Sequence, residues 1–253
     1  VKTIISVDFD FFVRENPLWD WGHSENNPIF INVAWQARYG TEDLYKECDI
    51  KKYADFDPCL LITELIKLGF KFKSNFKLRI ADSHRHCYEA IEEIGKSRVY
   101  NFDTHHDLWR ENKKQIDCAN WLWRAVEDGL VKYVHWIAPS WSEEFNNGDE
   151  HWFNDEPEYR KFINGHYFKT FKLDKKPVEV DALFICRSSC WVPPHLDPDF
   201  LGMIKWANHC TRDVKFMDNI YKRKYPTRKE SEEAMSEIRK FIKKNVPSSS
   251  VLT

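Results

Sequence analysis

No apolar run in this chain approaches the roughly 20 residues needed to cross a bilayer, so nothing in it reads as a transmembrane helix. No secretory signal opens it either: Val1-Lys2-Thr3-Ile4-Ile5-Ser6-Val7 is too short for an apolar signal core, and acidic residues follow at once. Charge of one sign is not in excess. Lys and Arg total 38 against 40 Asp and Glu, a net charge of −2, which gives no whole-chain case for nucleic acid or an anionic membrane. The basic run Lys222-Arg223-Lys224-Tyr225, with Arg228 and Lys229, reads as a solvated helix entry, so nucleic acid is not the expected partner. There is no internal repeat and no Gly/Ser-rich linker, which favours one domain over residues 1–253. The 7 cysteines are odd in number and irregularly spaced, so reduced thiols in a cytoplasmic protein are expected.

What is present reads as a soluble globular chain, with 42% hydrophobic and 31% charged residues and 11 Trp, enough for some to line a pocket as well as fill a core. Short, apolar, β-branched segments at Thr3–Phe9, Lys77–Ala81, Arg98–Phe102, Val131–Ala138, Val178–Cys186 and Val214–Met217 are expected strands. Helices are expected over Cys59–Leu68, Tyr88–Ile94, Asn120–Glu127, Phe200–Cys210 and Thr227–Asn245. Asp57-Pro58 and Asp197-Pro198 supply an N-cap and a first-turn proline, and Gly69, Gly95 and Gly129 supply stops. In the last helix, Ala234, Met235, Ile238, Phe241 and Ile242 share one face, and the tail Pro247–Thr253 is expected to fray. Strands alternating with helices imply an α/β fold: a three-layer, doubly wound, mostly parallel sheet. Residues 16–52 read as an insertion or lid, and 146–176 as a polar, aromatic meander.

Three clusters carry chemistry, each following an apolar strand segment. They are Asp8 and Asp10; His84 within Asp82-Ser83-His84-Arg85-His86; and Asp103, His105 and Asp107. Alternate side chains of an extended strand point the same way, so Asp103, His105 and Asp107 are expected to converge by pleat. The carboxyl ends of parallel strands are where such sheets collect ligands. Two unit charges about 4 Å apart repel by about 4 kcal/mol at an effective dielectric near 20, so four converging carboxylates call for counter-charge. Two divalent cations would supply it. Imidazole with a carboxylate majority leans toward Mn²⁺, with Zn²⁺ or Fe²⁺ as alternatives. The implied chemistry is a bridging water made nucleophilic at neutral pH. His86 and His106 read as neighbours of the site, and Asp82 as a turn or supporting residue.

These pieces resemble the arginase/deacetylase (ureohydrolase) superfamily. Asp103-Thr104-His105-His106-Asp107 is similar to its DAHxD strand, Ser6-Val7-Asp8-Phe9-Asp10 to its SxDxD strand, and Asp82-Ser83-His84 more loosely to its GGDHS-type histidine. The closest resemblance is to an uncharacterised arginase-like family. It is carried by Asp107-Leu108, Asn120-Trp121, Trp136-Ile137-Ala138-Pro139-Ser140-Trp141, Asp8-Phe9-Asp10-Phe11-Phe12 and Arg187-Ser188-Ser189. In the superfamily SxDxD follows DAHxD, whereas here it stands first. The simplest account is a circular permutation, which sheet order and site can survive. The resemblance implies six ligands for two ions: His84, Asp103, Asp107 and Asp8 at one, and His105, Asp10, Asp103 and Asp8 at the other, with Asp8 and Asp103 bridging.

On the substrate side, arginases use a late-strand Glu to hold guanidinium. The corresponding strand here offers Arg187, which would attract a carboxylate or phosphate instead. A clear counterpart of the arginase shuttle His is also missing; Asn120 falls near its place. The expected function is a binuclear hydrolase of a non-peptide carbon–nitrogen bond, an amide or amidine in a small substrate carrying an anionic group. Arg187 and Asn120 are the candidate catalytic, orienting residues. For Arg187 the competing reading is a structural ion pair with an acidic neighbour. Two alternatives stand beside this function: a metal-stabilised binding protein without catalysis, and a haloacid-dehalogenase-like phosphatase using Asp8. The oligomeric state is left open.

Overall fold

The computed structural model describes residues 1–13, 27–41, 57–109, 115–139, 141–142, 160–164 and 177–245. Among these, seven strands form one sheet: β1 Lys2–Asp8, β2 Phe70–Ala81, β3 Ser97–Phe102, β4 Val131–Ala138, β5 Arg160–Asn164, β6 Val178–Cys186 and β7 Asp213–Phe216. Their order is β5-β4-β3-β1-β6-β2-β7, and every neighbouring pair is parallel. All carboxyl ends therefore lie along one edge. The helices are α1 Pro28–Thr41, α2 Leu61–Lys67, α3 His86–Ile94, α4 Trp121–Glu127, α5 Asp197–His209 and α6 Arg228–Asn245.

Parity along the central strand builds two cores. Ile5 and Val7, with Leu183, Ile185, Leu78 and Ile80 beside them, pack under α1, α2 and α5 through Trp35, Leu65 and Phe200. Ile4, with Val99, Ala182 and Phe184, packs under α3 and α4 through Ala90, Ile91, Trp121 and Leu122. This is the three-layer arrangement expected. Because both faces of the sheet are covered, its strands read as continuous apolar runs rather than as alternation.

Several expectations are corrected. Residues 28–41, inside the segment read as a lid, form a regular helix that buries Ile31, Trp35 and Tyr39. Within 146–176, residues 160–164 pair parallel to β4 as an edge strand; the rest of 146–176, most of 16–52 and the tail from Pro247 lie outside the described residues. Strand β2 begins at Phe70 rather than Lys77, because Phe70 and Phe76 are buried and Phe70–Phe72 pairs with Val178–Val180 before a register shift. The exposed Lys71, Lys73 and Ser74 disguise it.

Asp57 does cap, accepting from the Cys59 N–H at 2.9 Å, but it caps a 3₁₀ turn that leads into α2. Asp197 does not cap: it lies inside α5, and its carboxylate takes Arg187 and Arg223 instead. Thr227 and Glu230 form a reciprocal capping box on α6, with Thr227 N–H donating to Glu230 at 2.8 Å and Glu230 N–H to Thr227 Oγ1 at 3.3 Å.

Two predictions arise here. A Cβ at Gly40 would meet Met235 Cγ at 2.5 Å and the Ser231 carbonyl oxygen at 2.6 Å, so α1 and α6 approach closely only because residue 40 has no side chain. Gly40→Ala should destabilise the protein by about 1–3 kcal/mol in denaturant melts, since the backbone contact cannot yield as a flexible side chain can.

The second concerns Glu93 of α3, which binds Arg79 and Lys77 of β2 and Lys215 of β7. The hydrogen bond from Arg79 outweighs burial and lowers the Glu93 pKa from 4.5 to about 2. A depressed carboxylate contributes stability above its unfolded pKa and loses it as pH falls through the folded one. The stability gap between wild type and Glu93→Gln, about 1 kcal/mol after solvent screening, should stay constant above pH 4.5 and shrink between 4.5 and 2. A gap insensitive to pH would contradict this.

Candidate metal centre

Register explains how the site assembles. Asp8 is level with Cys186, and Cys186 with Ala81, so the ends of β1, β6 and β2 align; Val7 pairs with Phe102, the end of β3. The next residues of each chain segment carry the chemistry. The mode of convergence differs from the one expected. Strand β3 stops at Phe102 and residues 103–107 curl out of it, with Asp107 at φ 57°. Likewise Asp10 lies in a 3₁₀ turn, Phe9–Phe12, whose first N–H groups are capped by Asp8, which accepts from Asp10 N–H at 3.1 Å. The pleat ends before Asp10, His105 and Asp107, so loops rather than alternation bring these side chains together.

The six expected ligands do meet. His84 Nδ1 lies 3.1 Å from Asp8 Oδ2, 3.0 Å from Asp103 Oδ2 and 3.0 Å from Asp107 Oδ2, yet makes no hydrogen bond. Ligand atoms about 2.1 Å from a shared ion stand about 3.0–3.4 Å apart in octahedral or tetrahedral arrangement. The spacing fits coordination about a common point, since a single Nδ1 proton cannot serve three oxygens at once. Next to it, His105 Nδ1 lies 3.2 Å from Asp10 Oδ2 and 3.7 Å from Asp103 Oδ1; Asp10 Oδ2 likewise makes no hydrogen bond. Asp103 thus turns one oxygen to each histidine, while Asp8 turns one oxygen to His84 and the other to the Asp10 N–H. The donor set fits hard or borderline divalent cations.

The charges show the same need. Burial first, then the charges of Asp8 and Asp103, push Asp10 well above the usual carboxylate range. Burial and then Asp103 do the same to Asp107. Burial would raise Asp103 also, but the imidazoles of His105 and His84 that face it outweigh burial and hold it well below that range. Burial opposes protonation of His84, yet the acidic groups around it, Cys186 and Asp107 foremost, raise its pKa well above the ordinary value. Without a cation the cluster balances itself with protons.

The supporting contacts are specific. His84 Nε2 is 2.6 Å from Ser6 Oγ, a partner that fixes the ring orientation and leaves Nδ1 to face the carboxylates. Its ring lies flat against Phe184, 7° off parallel, and leans on Trp121. Trp121 Nε1–H donates to Asp107 Oδ2, and Ser188 donates to Asp8 Oδ2 from a left-handed backbone at φ 48°. The N–H of Asp82, in the His84 loop, donates to Asp218 at 2.7 Å. Asp107 and Ser188 are the non-glycine residues with positive φ among those described. Both touch the cluster, where such strain, on the order of 1–3 kcal/mol each, typically gathers.

Other expected residues lie elsewhere. Arg187 is buried in an ion-pair network, with Nε 2.6 Å from Asp82 Oδ1 and Nη1 3.2 Å from Asp197 Oδ2 and 3.0 Å from the Tyr221 carbonyl oxygen. Asp82 is its partner, not a ligand. Asn120 ties its own loop: Oδ1 accepts from Asp117 N–H at 3.0 Å, and Nδ2 donates to the Gln115 carbonyl at 3.2 Å. His106 packs on Trp136 and accepts from Leu108 N–H. His86 bonds Glu89 and Asp218. Within the basic run, Arg223 is buried against Asp197 and the carbonyls of Ser189 and Val192.

The sequence does not mark Ser6, Ser188, Trp121 and Asp218 as supports, nor Cys186 as a member of the cluster. Their contacts cross the sheet or join distant loops, so no local spacing reveals them.

The fold and cluster define a class: a three-layer α/β chain with buried Asp, His and Cys groups that could hold a metal ion at the carboxyl edge of its sheet. Comparison with family models, with curated proteins and with solved structures gives no match. Among the described residues no helix is long and apolar enough to cross a membrane.

Proposed function

We propose that this protein is a binuclear metal-dependent hydrolase of the arginase-like type, with a permuted chain order, acting on a non-peptide carbon–nitrogen bond. One observation carries the reading: His84 Nδ1 faces three carboxylate oxygens at 3.0–3.1 Å without a hydrogen bond. The permuted reading is supported by the SxDxD strand lying between the DxHxD strand and β6 in one parallel sheet. His84, Asp8, Asp103 and Asp107 would hold one ion, and His105, Asp10 and Asp103 the second, Mn²⁺ being favoured by the carboxylate majority. Bound ions would supply an activated water and a Lewis acid to polarise the scissile bond.

The chain's own residues do the positioning. Ser6 and Phe184 hold the His84 ring, Ser188 orients Asp8, and Trp121 orients Asp107. The side chain of His105 is 21% exposed against 1–5% for the other ligands, so a substrate approaches along the His105 side. There the Trp191 ring lies 5.2 Å from the imidazole. Arg187 bonds Asp82 and Asp197 through Nε and Nη1, and its buried Nη2 makes no hydrogen bond.

A second reading, a metal-stabilised protein without catalysis, is favoured by the internal engagement of both Arg187 and Asn120. The phosphatase reading is disfavoured, because Asp8 is enclosed by His84, Ser188 and the Asp10 N–H. A panel of small amides and amidines, assayed with Mn²⁺ and after chelation, decides between them. Metal-dependent turnover lost in Asp103→Ala supports the hydrolase; full metal loading with no turnover on any member supports the second reading.

A further inference from the structure

We propose that Cys186 is a metal ligand, and that the His84 half of the centre is built for a thiophilic cation of the zinc type. The inference rests on the metal reading above and adds the identity of one ion.

Register is the first support. Cys186 pairs with Asp8, and paired residues of parallel strands project to the same face, so sulfur and carboxylate stand side by side where β1 and β6 end. Cys186 is fully buried. A ring nitrogen of His84, an oxygen of Asp8 and the sulfur of Cys186 lie within 4.8 Å of one another. The second support is independent of the cysteine: the buried Nδ1 of His84 makes no hydrogen bond and is aimed at the same carboxylates. The third is the brace. Ser188 Oγ lies 3.5 Å from the sulfur and also donates to Asp8, so one hydroxyl fixes both neighbours.

Chemistry gives the consequence. Carboxylate and imidazole suit Mn²⁺, whereas a thiolate selects softer ions. The His105 half, with Asp10 and Asp103, has no sulfur in its group. The two halves therefore differ: one hard, the other borderline-soft. On binding, the thiol loses its proton to solvent and a sulfur–metal bond forms, with no change of oxidation state.

Metal-free full-length protein reloaded with Co²⁺ alone tests this. Wild type should show visible ligand-field bands together with an intense near-ultraviolet sulfur-to-cobalt charge-transfer band. Cys186→Ser should keep the first and lose the second, and Cys87→Ser, beside Ser6 on the same side of the sheet, should keep both. Cys186→Ser should also shift the preference for Zn²⁺ over Mn²⁺ by about tenfold toward Mn²⁺. If that variant does not fold, X-ray absorption of zinc-loaded wild type serves, with a sulfur shell at about 2.3 Å expected. Ligand-field bands without the charge-transfer band, its persistence in Cys186→Ser, or a purely nitrogen and oxygen shell would overturn the inference and leave the metal centre standing. Absence of all cobalt bands would remove the metal centre itself.

Discussion

Protein purified without chelator should carry up to two divalent ions per chain, and the double variant Asp8→Ala, Asp103→Ala should carry none. Elemental analysis of both is the measurement. The expected loss is large because the two residues touch both halves of the centre. Asp103 faces His84 with one oxygen and His105 with the other, and Asp8 faces His84 while capping the turn that presents Asp10. Removing either carboxylate takes a donor from the cluster and frees a loop that positions another. Single variants should retain partial, weaker uptake. Full occupancy in the double variant would mean that the ions sit elsewhere.

The second large effect is on stability. An ion bound only by the folded chain stabilises it by about 4 kcal/mol at a thousandfold excess over Kd, which for a chain of this size raises Tm by roughly 8–16 °C. Chelation should reverse the shift. Asp10→Asn separates electrostatics from binding. Burial and the charges of Asp8 and Asp103 disfavour the ionised Asp10, so an uncharged amide there avoids the cost of charging or protonating a buried carboxylate. The metal-free variant should be at least as stable as metal-free wild type, by on the order of 1 kcal/mol, while its gain on adding metal shrinks. If Asp10→Asn is less stable than wild type without metal and gains equally with it, Asp10 is an ordinary core residue. Thermal melts of the two proteins, with and without Mn²⁺ or Zn²⁺, give the comparison.

Much of the fold is legible in the sequence, because a sheet covered on both faces needs apolar strands. Val131–Ala138 and Val178–Cys186 are expected and observed with the same bounds. The helix Pro28–Thr41 is hidden by Asn32, Trp35 and Gly40; its stability comes from burying Trp35 and Tyr39 and from the close approach of α6, which no local pattern announces. The six candidate ligands are legible because each closes or follows a strand. How they converge is not: pleat alternation points to an extended Asp103–Asp107, whereas a left-handed Asp107 folds the segment back.

Arg187 shows the opposite failure. Its place at the end of a strand fits a substrate-binding role, and only the fold discloses Asp82, 105 residues away in sequence but at the end of the neighbouring strand in the sheet. Cys186 is invisible for the same reason, since its partner Asp8 is at the other end of the chain.

The central claim is that these side chains surround cations. Anomalous diffraction from crystals soaked in Mn²⁺ or Zn²⁺ tests it most directly. One peak is expected enclosed by His84 Nδ1 and the oxygens of Asp8, Asp103 and Asp107, and a second between His105, Asp10 and Asp103. Crystals that take up metal only at other positions, with these side chains unchanged, would contradict it.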